Sequence, residues 1–94
     1  MKADPEKLKS LLRERGLRVT EPRVAVLGYL ASTDRHPTAE EVEEAVNAGG
    51  PILSRASVYN VLHSLARAGL VAGMSVKDGA ARYDAHVAPH HHLV

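Results

Sequence analysis

The chain has 94 residues, 45% hydrophobic and 24% charged, with a formal net charge of +1, which describes one ordinary globular domain able to bury roughly 60–70% of its unfolded surface. It has no cysteine, so a disulfide framework is excluded. No apolar run approaches the ~20 residues of a membrane span, and the opening "MKADPEKLKSLL" is too polar for a signal peptide; a cytoplasmic protein without a membrane partner is expected.

The aromatics are three tyrosines, so the core has to be built from Leu, Val and Ala. Charge is segregated. Glu40, Glu41, Glu43 and Glu44 share one short segment, Arg13, Arg15, Arg18 and Arg23 cluster near the start, and Arg55 and Arg67 come later. A near-neutral total can therefore conceal one basic face.

In chain order, Asp4 followed by Pro5 predicts a helix N-cap with proline at the first helical position. Leu8, Leu11 and Leu12 follow at helical spacing, and Gly16 fits the stop. Thr20 caps a second helix with Pro22 just inside, and Val24, Leu27 and Leu30 supply its buried face. Thr38 and Glu41 form a capping box for a third helix. Its apolar positions are Ala39, Val42 and Val46, its outer face is acidic, and Gly49, Gly50 and Pro51 end it.

A fourth helix is predicted from about Arg55 to Ala68, with Ser54 as N-cap and Gly69 as the stop. Val58, Val61, Leu62 and Leu65 share one face. At ~3.6 residues per turn, Ala56, Asn60, His63 and Arg67 share the opposite one, flanked by Ser57 and Tyr59. Low bulk, outward donors and cationic charge are what a helix needs to enter a DNA major groove. After Gly69 the period changes, and "LVAGMSVKDGAARYDAHV" predicts two strands around a two-residue turn at Asp78–Gly79. The fold class is thus mainly α with a β-hairpin: a winged helix-turn-helix of four helices and then a two-stranded wing, with Lys77 and Arg82 near the wing. The pattern alone also suits an αα pair unconnected with DNA.

Five stretches together resemble the ferric uptake regulator (Fur) family of metal-dependent bacterial transcriptional regulators: "GLRVTEPR" (Gly16 to Arg23), "HPTAEEV" (His36 to Val42), "SRASVYNVLHSLARAGLV" (Ser54 to Val71), "RYD" (Arg82 to Asp84) and "HHHLV" (His90 to Val94). The resemblance implies a winged-helix DNA-binding domain over residues 1–84. It also implies that residues 85–94 are a hinge and the start of an absent C-terminal dimerisation domain, so a piece of a longer protein is expected. A structural zinc site of many members opens with a cysteine after the histidine run; with no cysteine here, that site is not carried over.

For DNA, the resemblance points to Arg18 and Tyr59, and helix geometry adds Arg55, Ser57 and Asn60. Asn can pair bidentately with an adenine edge, and "SVYN" is similar to the peroxide-responsive branch, where the iron-uptake branch commonly has Arg. Each residue also has a plainer reading: Arg18 as a solvated charge, Tyr59 as a half-buried aromatic, His63 as a surface histidine. Arg23 fits either DNA contact or a structural ion pair with the acidic third helix.

For metal, His90 and His92 are two apart, which on an extended segment puts both rings on one face and turns His91 away. The resemblance joins His36, Asp84, His90 and His92 in a regulatory site completed by an acidic residue of the absent domain. Plainer readings are a helix-leading residue for His36, a strand-end carboxylate for Asp84, and a tag or solvated tail for the histidine run. Imidazole with carboxylate suits a divalent transition metal, Fe²⁺ or Mn²⁺, with Zn²⁺ also admitted. In the peroxide-responsive branch a ligating histidine, here His36 or His90, is oxidised.

The resemblance thus implies a metal-responsive, peroxide-sensing bacterial repressor that binds a double-stranded DNA operator as a homodimer through the absent domain. Alternatives are an iron, zinc or manganese uptake regulator of the same family, or a winged-helix protein-interaction module. No enzymatic activity is expected, because the histidines form no H-E-x-x-H helix and no nucleophile has a base nearby. This chain alone is expected to bind metal weakly or not at all, and to bind DNA weakly and without sequence preference.

Overall fold

The computed structural model describes residues 4–50, 52–75, 79 and 81–85. Helices α1 (Pro5–Glu14), α2 (Glu21–Ser32), α3 (Ala39–Gly49) and α4 (Arg55–Arg67) precede strands β1 (Val71–Ser75) and β2 (Ala81–Ala85). This is the expected winged helix-turn-helix order. Among the described residues, no helix is long and apolar enough to cross a membrane.

Local chemistry sets the helix ends. Asp4, Thr20, Thr38 and Ser54 each accept a backbone N–H in the first turn of their helix, satisfying donors that the helix itself leaves open. At Thr38 the box is reciprocal, with Thr38 N–H donating to Glu41 Oε1 at 2.9 Å. Helices α1 and α4 stop in the same way. Gly16 and Gly69 take φ of +78° and +80°, and Leu17 and Leu70 donate back to Leu12 and Leu65. Gly16 and Gly69 in turn donate to Arg13 and Ala66, and this pair of bonds at each end, with glycine in the left-handed position, is the Schellman motif.

Helix α2 is central. It packs against α1, α3, α4 and β2, and its Gly28 lets Leu8 approach: a Cβ there would lie 3.1 Å from Leu8 Cδ1. The core joins Leu8 and Leu12 of α1, Val26, Leu27 and Leu30 of α2, Ala39, Val42 and Val46 of α3, and Val58, Leu62 and Leu65 of α4. Leu70, Val71 and Tyr83 close it from the wing. Each buried Leu or Val stabilises the fold by about 1.5–3 kcal/mol relative to its exposed state.

Two expectations about the core need correction. Val26 is fully buried, whereas Val24 only packs against the core edge. A helix enclosed on several sides buries more than one stripe, so the single face assigned to α2 was too narrow. Val61 of α4 is likewise only partly buried.

The strands of the hairpin are described up to Ser75 and from Ala81, with Gly79 between them. The antiparallel register pairs Val71 with Ala85 and Ser75 with Ala81. Of the two-residue turn expected at Asp78–Gly79, only Gly79 is described, and it has φ +83°, as glycine does in hairpin turns. Lys77 and Asp78 lie outside the described residues.

The far edge of β2 is not left open. Tyr83 N–H donates to Pro37 O at 3.0 Å, and Thr38 forms an isolated antiparallel bridge with Arg82. The segment leading into α3 thereby becomes a short third partner of the wing.

Candidate nucleic-acid interface and metal ligands

Helix α4 presents Ala56, Asn60, His63 and Arg67 to solvent, all exposed, as the periodicity predicts. Tyr59 lies on the rim of that stripe, 39% exposed, its ring centroid 6.4 Å from that of His63 one turn on. The opposite face is closed by Val58, Leu62 and Leu65. The helix is therefore anchored through one side and free on the other.

The loop before α4 is held by one side chain. Asn47 donates from Nδ2 to Leu53 O at 3.0 Å and accepts Leu53 N–H at 2.8 Å, so a side-chain amide pairs with the backbone as a strand neighbour would. This clamp fixes where α4 begins relative to α3.

Arg18 is exposed, two residues before the Thr20 cap of α2. Arg23 holds it in place: Nη1 donates to Arg18 O at 2.9 Å, and Nε donates to Ser64 Oγ on α4 at 3.4 Å. Of the two readings open for Arg23, the ion pair with the acidic third helix is not formed among the described residues. Arg23 emerges from α2 toward α4, and α3 packs elsewhere on α2.

The carboxylates of α3 engage other cations. Arg55 Nε lies 2.8 Å from Glu43 Oε1 and Nη1 lies 3.3 Å from Glu40 Oε2. The hydrogen bond to Glu43 and the charge of the same carboxylate raise the Arg55 guanidinium above its ordinary value. Ser57 is half-buried, and its Oγ accepts from the Ser54 hydroxyl at 3.1 Å. Of the five expected DNA-facing residues, Arg18, Tyr59 and Asn60 are thus exposed, while Arg55 and Ser57 are engaged within the fold.

On the opposite side of α3, two of the four expected metal ligands meet. His36 Nε2 lies 3.9 Å from Asp84 Oδ2, although 48 positions separate them in the chain. The wing bridge at Thr38 and Arg82 brings them together. Arg82 Nη1 donates to His36 O at 3.0 Å and lies 3.5 Å from Glu41 Oε1. Sequence reading missed this arginine's role in fixing His36; Pro37, which biases the preceding residue toward extended backbone, was the available signal.

An imidazole nitrogen and a carboxylate oxygen, both about half exposed, suit the borderline divalent metals. Two donors are fewer than the roughly four that a bound ion takes, and among the described residues no group of three or more such side chains forms. His90 and His92 lie outside the described residues, as do His86 and His91.

The Ferric uptake regulator family model matches residues 14–94. The chain belongs to the ferric uptake regulator family. Among this Fur-family chain's relatives is the peroxide-responsive repressor PerR of Staphylococcus aureus (strain Mu50 / ATCC 700699), 36% identical over 83 residues. That match covers 88% of this chain and 56% of the relative, so the chain spans about half the length of the curated relatives it matches. Among solved structures, the ferric uptake regulator from Pseudomonas aeruginosa with manganese is 39% identical. It aligns with a TM-score of 0.76, covering 83% of this chain and 59% of that one. PerR from Streptococcus pyogenes is 30% identical with a TM-score of 0.75, covering 90% and 59% respectively. The winged-helix fold of this Fur-family chain is thus shared with solved members.

Proposed function

We propose that this chain is the DNA-binding part of a metal-responsive transcriptional repressor, with residues 1–84 as the winged-helix domain and 85–94 as the start of its link to a dimerisation domain. The observation that carries the reading is the exposed pair Tyr59 and Asn60 on α4, together with exposed Arg18, whose backbone Arg23 ties to that same helix. Asn60 offers a bidentate donor and acceptor to an adenine edge, Tyr59 stacks or donates at the groove rim, and Arg18 neutralises backbone phosphate. Arg55 and Ser57 join the interface only if DNA draws them from their present partners.

The metal reading assigns His36 and Asp84 from this domain and His90 and His92 from the following segment. When bound, a divalent Fe, Mn or Zn ion would supply a crosslink between the parts that hold it. His36 is fixed from behind by Arg82, so a ligand pull on its ring would be felt at the wing and at Glu41 of α3. In a homodimer, the relative placement of two α4 helices sets whether both reach successive half-sites.

The finer peroxide-sensing reading rests on Asn60 and on the likeness to PerR. The test is operator binding by the protein with its natural continuation, loaded with Fe²⁺, Mn²⁺ or Zn²⁺, before and after peroxide. Binding with Fe²⁺ that peroxide abolishes is the expected result. Binding supported by Zn²⁺ alone and indifferent to peroxide removes the peroxide reading and leaves a metal-uptake regulator.

A further inference from the structure

The face offered to DNA continues past Asn60 into a groove with no role assigned so far. It runs between the turn after α1 and the C-terminal half of α4, with Arg15, Leu17, Asn60, His63, Ser64 and Arg67 among its walls, and among the described residues no carboxylate lines it. Arg18 is the chain neighbour of Leu17, so the groove lies between the segment that carries Arg18 and the helix that carries Asn60.

Its cations are placed differently from the others on this surface. Arg15 Nη1 donates to Ala68 O at 2.7 Å and stands 2.8 Å from where a Cβ on Gly69 would be. The guanidinium is therefore fixed across the end of α4. Capping the helix explains that one contact, and among the described residues the rest of the five-donor fork has no other hydrogen-bond partner. Arg67, in the last turn of α4, is exposed and has no carboxylate partner among the described residues. Arg55, at the other end of the same helix, is by contrast tied to Glu40 and Glu43.

We infer that this groove seats a phosphodiester of the DNA backbone next to the base that Asn60 faces. Arg67 and Arg15 supply the charge and the forked donors that match phosphate oxygens, and His63 adds a ring N–H. Such a contact sets the register of α4 on the duplex and carries no sequence information itself. The inference rests on the DNA-binding reading above and extends it to residues outside the expected set.

The test uses a short fluorescein-labelled duplex of random sequence and the 94-residue chain, with anisotropy titrations over a series of salt concentrations. Arg67→Gln removes one charge from the groove, and Lys7→Gln removes one from the exposed side of α1. If the groove holds a phosphate, Arg67→Gln lowers the slope of log K against log salt by roughly 0.9, and Lys7→Gln leaves it unchanged. Arg67→Glu, checked for folding by circular dichroism, weakens binding further. Equal slopes for Arg67→Gln and the parent chain, or an equal shift from Lys7→Gln, overturn the groove. Loss of binding in Arg18→Ala with Tyr59→Ala, while Arg67→Gln binds like the parent, overturns the groove and leaves the DNA reading standing. A parent chain that binds no duplex overturns both.

Discussion

Arg23 donates a hydrogen bond to the carbonyl oxygen of Arg18 at 2.9 Å, and the same guanidinium reaches Ser64 on α4 at 3.4 Å. One side chain thus joins the segment that carries Arg18 to the helix that carries Tyr59 and Asn60. Arg23→Gln cannot span both partners. It is expected to cost about 1 kcal/mol of stability, since the contacts are only partly buried. It also lowers duplex affinity by about tenfold as Arg18 loses its fixed place, equivalent to ~1.4 kcal/mol. Thermal melts and anisotropy on the same sample check it; unchanged affinity would show that Arg18 needs no such positioning.

The pairing of Arg55 with Glu43 leads to the opposite expectation. Neutralising both carboxylates that hold Arg55, in Glu43→Gln with Glu40→Gln, releases the cation at the start of α4. Affinity for random duplex should rise several-fold at low salt and converge with the parent at 1 M salt, where screening acts over about 3 Å. The gain should vanish in an Arg55→Gln background. A gain that survives Arg55→Gln would mean that only the overall charge changed.

Gly16 and Gly69 end their helices with the same backbone conformation and different surroundings. A Cβ at Gly16 meets nothing within 4 Å, whereas one at Gly69 would be 2.8 Å from Arg15 Nη1. Gly16→Ala should therefore cost only the left-handed strain, roughly 1–2 kcal/mol. Gly69→Ala carries the same strain and also displaces Arg15 from Ala68. Chemical denaturation of both variants is the check, with the larger loss expected at Gly69; equal losses would mean that Arg15 relocates without cost.

Tyr83 gives the stability of the wing a pH dependence. Burial, reinforced by the charge of Tyr59, raises its phenol above the ordinary value. The folded state therefore holds the proton more tightly than the unfolded state. The associated stability is fully present below about pH 10 and is lost as pH rises through the folded-state value. Tyr83→Phe should melt at a temperature that falls less between neutral and strongly alkaline pH than the parent's. Parallel curves for the two proteins would contradict this.

Much of the fold was legible because helix ends are local. Asp4, Thr20, Thr38 and Ser54 sit where their side chains satisfy open N–H groups, and the two stopping glycines lie where the chain must turn left-handed. The exposed stripe of α4 followed from period alone. What escaped was tertiary. The burial of Val26 depends on neighbours that α2 acquires only in the fold.

The candidate site divides in the same way. Tyr59 and Asn60 could be placed from helical spacing. The approach of His36 to Asp84 could not, because it arises from the bridge of Thr38 to Arg82 on the outer edge of the wing. The engagement of Arg55 by α3, and of Arg23 by Arg18 and Ser64, is likewise invisible in a chain read one segment at a time. A cation in a helical pattern does not announce which neighbour will take it.

The central claim is that the Arg18, Tyr59 and Asn60 face binds duplex DNA, and low-salt anisotropy with the 94-residue chain tests it most directly. The parent should bind random duplex with a dissociation constant on the order of 10⁻⁴–10⁻⁶ M that weakens steeply with salt. Arg18→Ala combined with Tyr59→Ala should abolish that binding without lowering the melting temperature appreciably, since both side chains are exposed. A folded double variant that binds duplex as well as the parent would contradict the account.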